Sequence, residues 1–293
     1  MNKSPFNIKQ LDTYQRWREQ KLSAYPLSIE TMQVEITNPE TPSESELGHI
    51  QALCRQHNMA LYRFKQGDFR SKRFVHQLGA ALGLRRLDNN LCADEDSLTS
   101  LQVATHAGQH DYIPYTDKQL SWHTDGYYNP PAGQIHGMLL HCAQPAQAGG
   151  ESWLMDHAIA YILLRDANPE YITALTHPQA FTIPANILEG REVRPPQSGS
   201  VFSVTPAGRL HMRYSARQRN VIWRNDPLTQ EAAAFLLDLW RRDSPYKVRR
   251  TLQAGEGVVC NNVLHCRTAF VDSEEPERKR LLYRGRYYDG VKA

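Results

Sequence analysis

Apolar and polar positions divide this chain into a helical first part and a strand-rich remainder. Leu11, Tyr14, Trp17 and Leu22 recur at loosely helical spacing and predict a helix over residues 11–22, followed after Pro26 by a strand over 32–36. Pro42 and a capping box from Ser43 to Glu46 then open a helix that places Leu47, Ile50, Leu53 and Cys54 on one face. Residues 60–64 read as a strand, and Phe74, Val75, Leu78, Ala81 and Leu82 as a helix closed by Gly83. From Ser121 onward short apolar runs alternate with Gly and Pro turns, predicting strands at 134–141, 180–183, 201–205, 210–214, 247–253, 257–261 and 280–289. Two helices interrupt them, one behind an Asp156 cap and one from Asp226-Pro227 through Ala232, Phe235, Leu236, Leu239 and Trp240. The pattern is mostly β with flanking helices, a β-sandwich or jelly roll. We expect an N-terminal extension over residues 1–40 and a main domain over 41–293, without internal repeats or low-complexity tracts.

Composition narrows the partners. At 293 residues the chain buries an ample core without disulfides. Its formal net charge of +3 is small, with 34 Lys and Arg spread among 31 Asp and Glu, so nucleic acid is not the expected partner. Cys54, Cys92, Cys142, Cys260 and Cys266 are odd in number and form no Cys-x-x-Cys pair, as in reduced, mostly buried thiols of a cytoplasmic protein. A zinc module, a secretory signal and a membrane span are not expected. The anticipated partner is a small molecule, and a homo-oligomer stays open.

The chemistry centres on His123 and Asp125 in Ser-Trp-His-Thr-Asp-Gly, answered by His265 in Asn-Asn-Val-Leu-His-Cys-Arg. Two imidazoles and one carboxylate suit Fe(II) held on one face, with positions open for a chelating co-substrate and O2. On an extended strand residues i and i+2 point to one side, so His123 and Asp125 can converge on one ion, while His265 needs a neighbouring strand. Alone, a His-x-Asp pair is weak evidence in a chain with 12 histidines. His136, His141, His157, His177 and His211 read as core or surface imidazoles.

Further along, Gly149-Gly150-Glu151-Ser152 reads neutrally as a hairpin turn. On the strand near the C-terminus, Arg280, Leu282, Arg284 and Arg286 alternate with Leu281, Tyr283, Gly285 and Tyr287, so both faces carry apolar bulk. Arginines on a strand buried on both sides need anions, because an unpaired buried charge costs several kcal/mol. Ser152 could complete such a cradle. Arg280 and Arg284 stand roughly 13 Å apart on an ideal strand, which suits two different anions better than one. Tyr127, Tyr128 and Tyr287 could line a pocket and receive an ammonium, or simply pack. Arg213 could hold a substrate carboxylate, or be an ordinary surface residue. Together these readings suggest a zwitterionic substrate.

Taken in order, Trp122-His123-Thr124-Asp125, Pro130-Pro131, Leu140-His141-Cys142, Gly149-Gly150-Glu151-Ser152, Asn262-Val263-Leu264-His265-Cys266-Arg267 and the arginine strand resemble the iron(II)/2-oxoglutarate-dependent dioxygenases typified by taurine dioxygenase and gamma-butyrobetaine hydroxylase. The likeness spans most of the chain. It implies a double-stranded β-helix (a cupin-like jelly roll) in which His123, Asp125 and His265 hold iron and 2-oxoglutarate chelates it. Arg280 would grip the far carboxylate, Ser152 stands where taurine dioxygenase has an assisting threonine, and Arg284 matches the position of a substrate-anion arginine. The carboxylate of Asp125 is unlike related halogenases, which carry a small residue there. The implied reaction couples decarboxylation of 2-oxoglutarate to hydroxylation of a small polar metabolite, zwitterionic or carboxylate-bearing, such as an amino acid or a betaine. Desaturation, cyclisation and oxidative fragmentation use the same cofactor chemistry. The zinc-binding N-terminal domain common among gamma-butyrobetaine hydroxylases is not expected, since the first hundred residues hold only Cys54 and Cys92. A non-redox metal-binding module on the same barrel is the alternative of another class, and repair of alkylated nucleic acid is disfavoured by the charge.

Overall fold

A computed structural model describes residues 4–89, 94–103 and 113–292. Its chain forms two compact units. The first consists of Leu27–Ser121, Ile135–Leu154 and Val248–Ala293, the second of Met1–Pro26, Trp122–Gln134 and Met155–Lys247.

The strands that frame the chemistry are β1 (Gln33–Ile36), β2 (Met59–Phe64), β3 (Thr99–Leu101), β4 (Leu120–His123), β5 (Gly137–Gln144), β6 (Ser152–Met155), β7 (Val248–Arg250), β8 (Glu256–Cys260), β9 (Leu264–Arg267) and β10 (Leu281–Tyr287). Among the described residues they build a six-stranded sheet in the order β1-β2-β8-β5-β10-β3 and a four-stranded sheet in the order β7-β6-β9-β4. Helices Glu44–His57 and Lys72–Ala81 bury Ile50, Leu53, Cys54, Phe74, Val75 and Leu78 in the core cluster that includes Leu61, Leu139, Val259 and Tyr287 of the larger sheet. The Ser43–Glu46 capping box forms in both directions and fixes where the first of these helices starts.

Glycine sets one close approach. A Cβ on Gly257 of β8 would overlap the Tyr62 ring and lie 2.5 Å from the Leu140 carbonyl oxygen, so only glycine lets β2, β8 and β5 pair side by side here. Where β10 pairs with β5, the register slips between Leu281 and Leu282, which face Gln144 and Cys142. This bulge on β5 skips Ala143.

The second unit holds helices Leu11–Leu22, His157–Ala167, Pro169–Leu175 and Pro227–Arg241 with several short strand pairs. Asp156, Asn168 and Asp226 cap the last three through their side chains. Its N-terminal segment is held by Arg165, whose guanidinium lies 3.8 Å from the centre of the Tyr14 ring and donates to the Pro5, Asn7 and Ile8 carbonyls.

Most expected elements are present, with edges moved by a few residues. The strand expected at 134–141 is Gly137–Gln144, because Pro131–Gly133 forms a 3-10 turn just before it. Helix Pro169–Leu175 and the strands β3, β6 and β9 had no strong periodicity to announce them. Cys54, Cys142, Cys260 and Cys266 are buried thiols, while Cys92 lies outside the described residues. No helix among the described residues is long and apolar enough to cross a membrane.

Candidate metal and co-substrate site

The His123 segment is zipped into place by its intervening residue. Thr124 is fully buried, donating its backbone N–H to the Tyr214 carbonyl and accepting the Tyr214 N–H on Oγ1, each at 3.0 Å. Ala216 donates to the Trp122 carbonyl, and the Trp122 and Trp240 rings stack at 5.4 Å. The expectation that Asp125 lies on the strand is corrected: β4 ends at His123, and Asp125 enters a turn continued by Gly126 at φ +65°. The backbone turns here because a left-handed residue follows the carboxylate, and glycine adopts that conformation without strain.

β9, the sheet neighbour of β4, carries His265. Its Nδ1 donates to the Val263 carbonyl at 2.9 Å, which fixes the tautomer and leaves the Nε2 lone pair for a metal. Donor atoms of His123, Asp125 and His265 all lie within 4.8 Å of one another, with both His123 and Asp125 buried. Two imidazoles and a carboxylate, with no thiolate among them, are the donor set Fe(II) takes when positions are to stay open.

Ser152 of β6, His265 and Arg267 of β9, and Arg280, Leu282 and Arg284 on and beside β10 line one partly open cavity. The alternation read along β10 holds: Arg284 is 8% exposed and looks into the cavity, while Tyr283 and Tyr287 belong to the hydrophobic core on the other face. Tyr287 therefore does not line the site. Its ring lies across Gly285, and an added Cβ on Gly79 would meet its hydroxyl at 2.8 Å. Arg286 is paired with Asp88 in a buried ion pair and is structural.

Arg280 is the most telling side chain. It is 4% exposed, its guanidinium lies 4.8 Å from the centre of the Phe270 ring, and its Nη1 has no hydrogen-bond partner among the described residues. Burial pushes its pKa down to about 10, against smaller opposing effects of Cys142 and Asp272. A desolvated guanidinium with an unused donor is built to receive a carboxylate. Gly149 and Gly150, at φ +74° and +70°, let the chain turn against Ala269 and Arg280; a Cβ on Gly149 would meet the Ala269 carbonyl oxygen at 2.5 Å. The hairpin expected for this segment is corrected: Ala148-Gly149 pairs with Phe270-Val271, whereas Ser152–Met155 pairs with Val248–Arg250 in another sheet, and Ser152, 7% exposed, lines the cavity.

Sequence reasoning missed Arg267. Burial, and then the neighbouring charge of Arg280, push its pKa down to about 9. The signal was available, because Arg267 stands two residues after His265 on a strand and so shares its face.

Among the remaining candidates, Arg213 is corrected. Buried at 5% exposure, it donates from Nε to the Tyr127 carbonyl at 2.6 Å, from Nη1 to Phe181 at 3.0 Å and from Nη2 to Gln197 at 2.7 Å. Every guanidinium nitrogen is engaged with backbone, so Arg213 braces loops instead of gripping a substrate. Tyr127 packs edge-on to His123 at 6.2 Å and to Tyr128 at 5.2 Å, and the Arg194 guanidinium lies 5.7 Å from the Tyr128 ring centre. Burial raises the Tyr127 pKa, with Ser215 and Asn220 hydrogen-bonded to its hydroxyl.

Comparisons with known proteins agree with this chemistry. The family profile described as taurine catabolism dioxygenase TauD, TfdA family matches residues 21–286. Uridine-5'-phosphate dioxygenase of a Streptomyces species is 28% identical over 211 residues, covering 69% of this chain and 73% of the relative. The enzyme of the same name from an Amycolatopsis species is 28% identical over 177 residues, covering 59% and 62%. Asparagine oxygenase in complex with Fe(II), 2S,3S-3-hydroxyasparagine and succinate superposes with a TM-score of 0.62 at 14% identity, over 98% of this chain and 92% of its own. The non-heme iron oxygenase OrfP with Fe, succinate and (3S)-hydroxy-L-Arg gives 0.61 at 15% identity, over 85% and 82%. The architecture is the jelly roll expected from the sequence. The non-redox alternative falls away. This chain belongs to the TauD/TfdA family and is an Fe(II)- and 2-oxoglutarate-dependent dioxygenase.

Proposed function

We propose that this enzyme hydroxylates a carbon of a small anionic metabolite, with His123, Asp125 and His265 holding Fe(II), Arg280 and Ser152 holding the far carboxylate of 2-oxoglutarate, and Arg284 holding the substrate's anion. The observation that carries this reading is the placement of Arg280 and Arg284 in one cavity with Ser152 and His265, Arg280 having an unused buried donor. Two guanidiniums separated along one strand face supply two anion sites, one for each organic acid the reaction brings together. Bound there, Fe(II) with 2-oxoglutarate and O2 supplies the oxidant that removes a hydrogen atom from the substrate, with succinate and CO2 released.

The protein's part is positional. The Val263 carbonyl orients His265 through Nδ1, Thr124 pins the backbone between His123 and Asp125, and Arg280 and Ser152 set how far the keto-acid end reaches toward the metal. The zwitterion reading loses two of its supports, since Arg213 and Tyr287 are committed elsewhere. A phosphate or carboxylate facing Arg284 remains, and a nucleoside 5'-phosphate is the first candidate because the uridine-5'-phosphate dioxygenases are relatives over most of the chain. Succinate release measured with a panel of nucleoside 5'-monophosphates, amino acids and betaines tests this. The expected result is substrate-dependent succinate with one anionic class, and a product heavier by one oxygen atom. Products lighter by two hydrogens, or split into fragments, would replace hydroxylation by desaturation or oxidative cleavage. Equal stimulation by uncharged analogues would remove the role given to Arg284.

A further inference from the structure

Arg267 and Arg280 share the Phe270 ring: their guanidinium carbons lie 4.7 and 4.8 Å from its centre. Both side chains are at least nine-tenths buried and line the cavity that also holds Ser152. Each keeps an unused donor, Nε of Arg267 and Nη1 of Arg280. Arg267 is anchored through Nη2, which donates to the Thr116 carbonyl at 2.8 Å and to that of Lys118. Asp272 accepts the backbone N–H of Arg280 at 2.6 Å, not its guanidinium. Two like charges on one aromatic ring, out of water, repel each other unless an anion lies between them. Asp117 offsets the Arg267 charge only in part, less than burial and the Arg280 charge oppose it.

We propose that Arg267 is a second binding residue for the co-substrate: with Arg280 it forms a two-guanidinium receptor, on Phe270 as a floor, that selects keto acids ending in a distal carboxylate. This rests on the assignment of Arg280 to 2-oxoglutarate made above. One carboxylate carries enough lone pairs to accept from Nε of Arg267, Nη1 of Arg280 and the Ser152 hydroxyl together. Specificity then comes from the penalty of leaving two buried cations unanswered when the keto acid lacks that group. Phe270 acts through both arginines as a positioning residue.

The test is binding rather than turnover. Anaerobic calorimetry on the Zn(II)-loaded protein would compare 2-oxoglutarate with 2-oxovalerate, which has the same chain length without the distal carboxylate. For Arg267→Gln, 2-oxoglutarate should bind at least about tenfold more weakly, the size of one charge-assisted hydrogen bond, while 2-oxovalerate is unaffected. Phe270→Leu should narrow the preference between the two acids in the same direction. Arg267→Lys, which keeps the charge, is read by the same ratio should the glutamine variant fail to fold. An unchanged preference in Arg267→Gln or Arg267→Lys, alongside a collapsed preference in Arg280→Gln, overturns the role of Arg267 alone. An unchanged preference in Arg280→Gln overturns the assignment beneath it.

Discussion

His265 shows how one backbone carbonyl prepares a ligand: with Nδ1 committed to Val263, the ring can turn only Nε2 toward an ion. Substituting His265→Ala is expected to abolish stoichiometric Fe(II) uptake, measured by metal analysis after anaerobic loading, without unfolding the protein. At the other end of the cavity, Arg280→Ala removes the buried cation proposed to hold the far carboxylate of 2-oxoglutarate. We expect its KM for 2-oxoglutarate to rise by roughly tenfold or more, in line with a lost hydrogen bond to a charged group, and turnover to recover partly at high co-substrate. An unchanged KM would count against the assignment. Residues of these kinds were legible in the sequence only in combination, because a His-x-Asp pair is weak evidence until His265 and the arginine strand follow it in order. Arg213 was not, since an arginine bonded to three carbonyls and an arginine bonded to a substrate look alike until the carbonyls of Tyr127, Phe181 and Gln197 are seen around it.

Short elements carry the site, and their stability rests on local devices that can be tested singly. Ser43→Ala removes one half of the capping box on helix Glu44–His57 and should cost about 1 kcal/mol, read as a lower midpoint in denaturant with unchanged slope. Gly257→Ala should be much more damaging, since its Cβ has nowhere to go between the Tyr62 ring and the Leu140 carbonyl; a loss of about 2 kcal/mol or more is expected. A variant as stable as the parent would show that β2, β8 and β5 can spread apart. The helices capped by Ser43, Asp156 and Asp226 were read to their first residue, because caps are local in sequence, whereas the Asn168-capped Pro169–Leu175 was too short to show a period. The strand β6, which carries Ser152, was not read as a strand, and β9 was read only as the strand His265 needs, without bounds, since four-residue strands have too few alternations to stand out. Their partners in the sheet define them.

For the whole molecule, one buried imidazole ties stability to pH. His141 lies stacked between Tyr62 and Tyr283, accepts the Tyr62 hydroxyl on Nδ1 at 3.0 Å and donates Nε2–H to the Phe69 carbonyl at 3.0 Å. Burial lowers its pKa from 6.5 to about 4. The unfolded chain therefore takes up a proton in that interval while the folded chain does not, so this contribution is complete above about pH 6.5 and lost as pH falls toward 4. It amounts to something on the order of 3 kcal/mol. Denaturation of chelator-treated protein across this range should show the slope, and His141→Gln should flatten it. Metal acts on stability separately: Zn(II) added after chelation should raise the melting temperature with concentration, the folded state gaining about 2.7 kcal/mol at a hundred times the dissociation constant. A melting temperature indifferent to metal would mean that the three ligands do not act together.

What the sequence by itself determined is the chemistry on offer: an iron-type donor set, arginines on a strand with two apolar faces, and helices marked by their own caps. Those signals survive in one dimension because they depend on residue type and on spacings of a few residues. Which arginines keep a donor unused among the described residues and which are absorbed by the protein was decided only by the tertiary structure. Arg267 and Arg280 keep unused donors over Phe270, whereas Arg213 and Arg286 are absorbed by carbonyls and by Asp88. The physical reason is that burial makes every guanidinium demand a partner, and partners come from segments distant in sequence whose arrival only the folded sheets arrange.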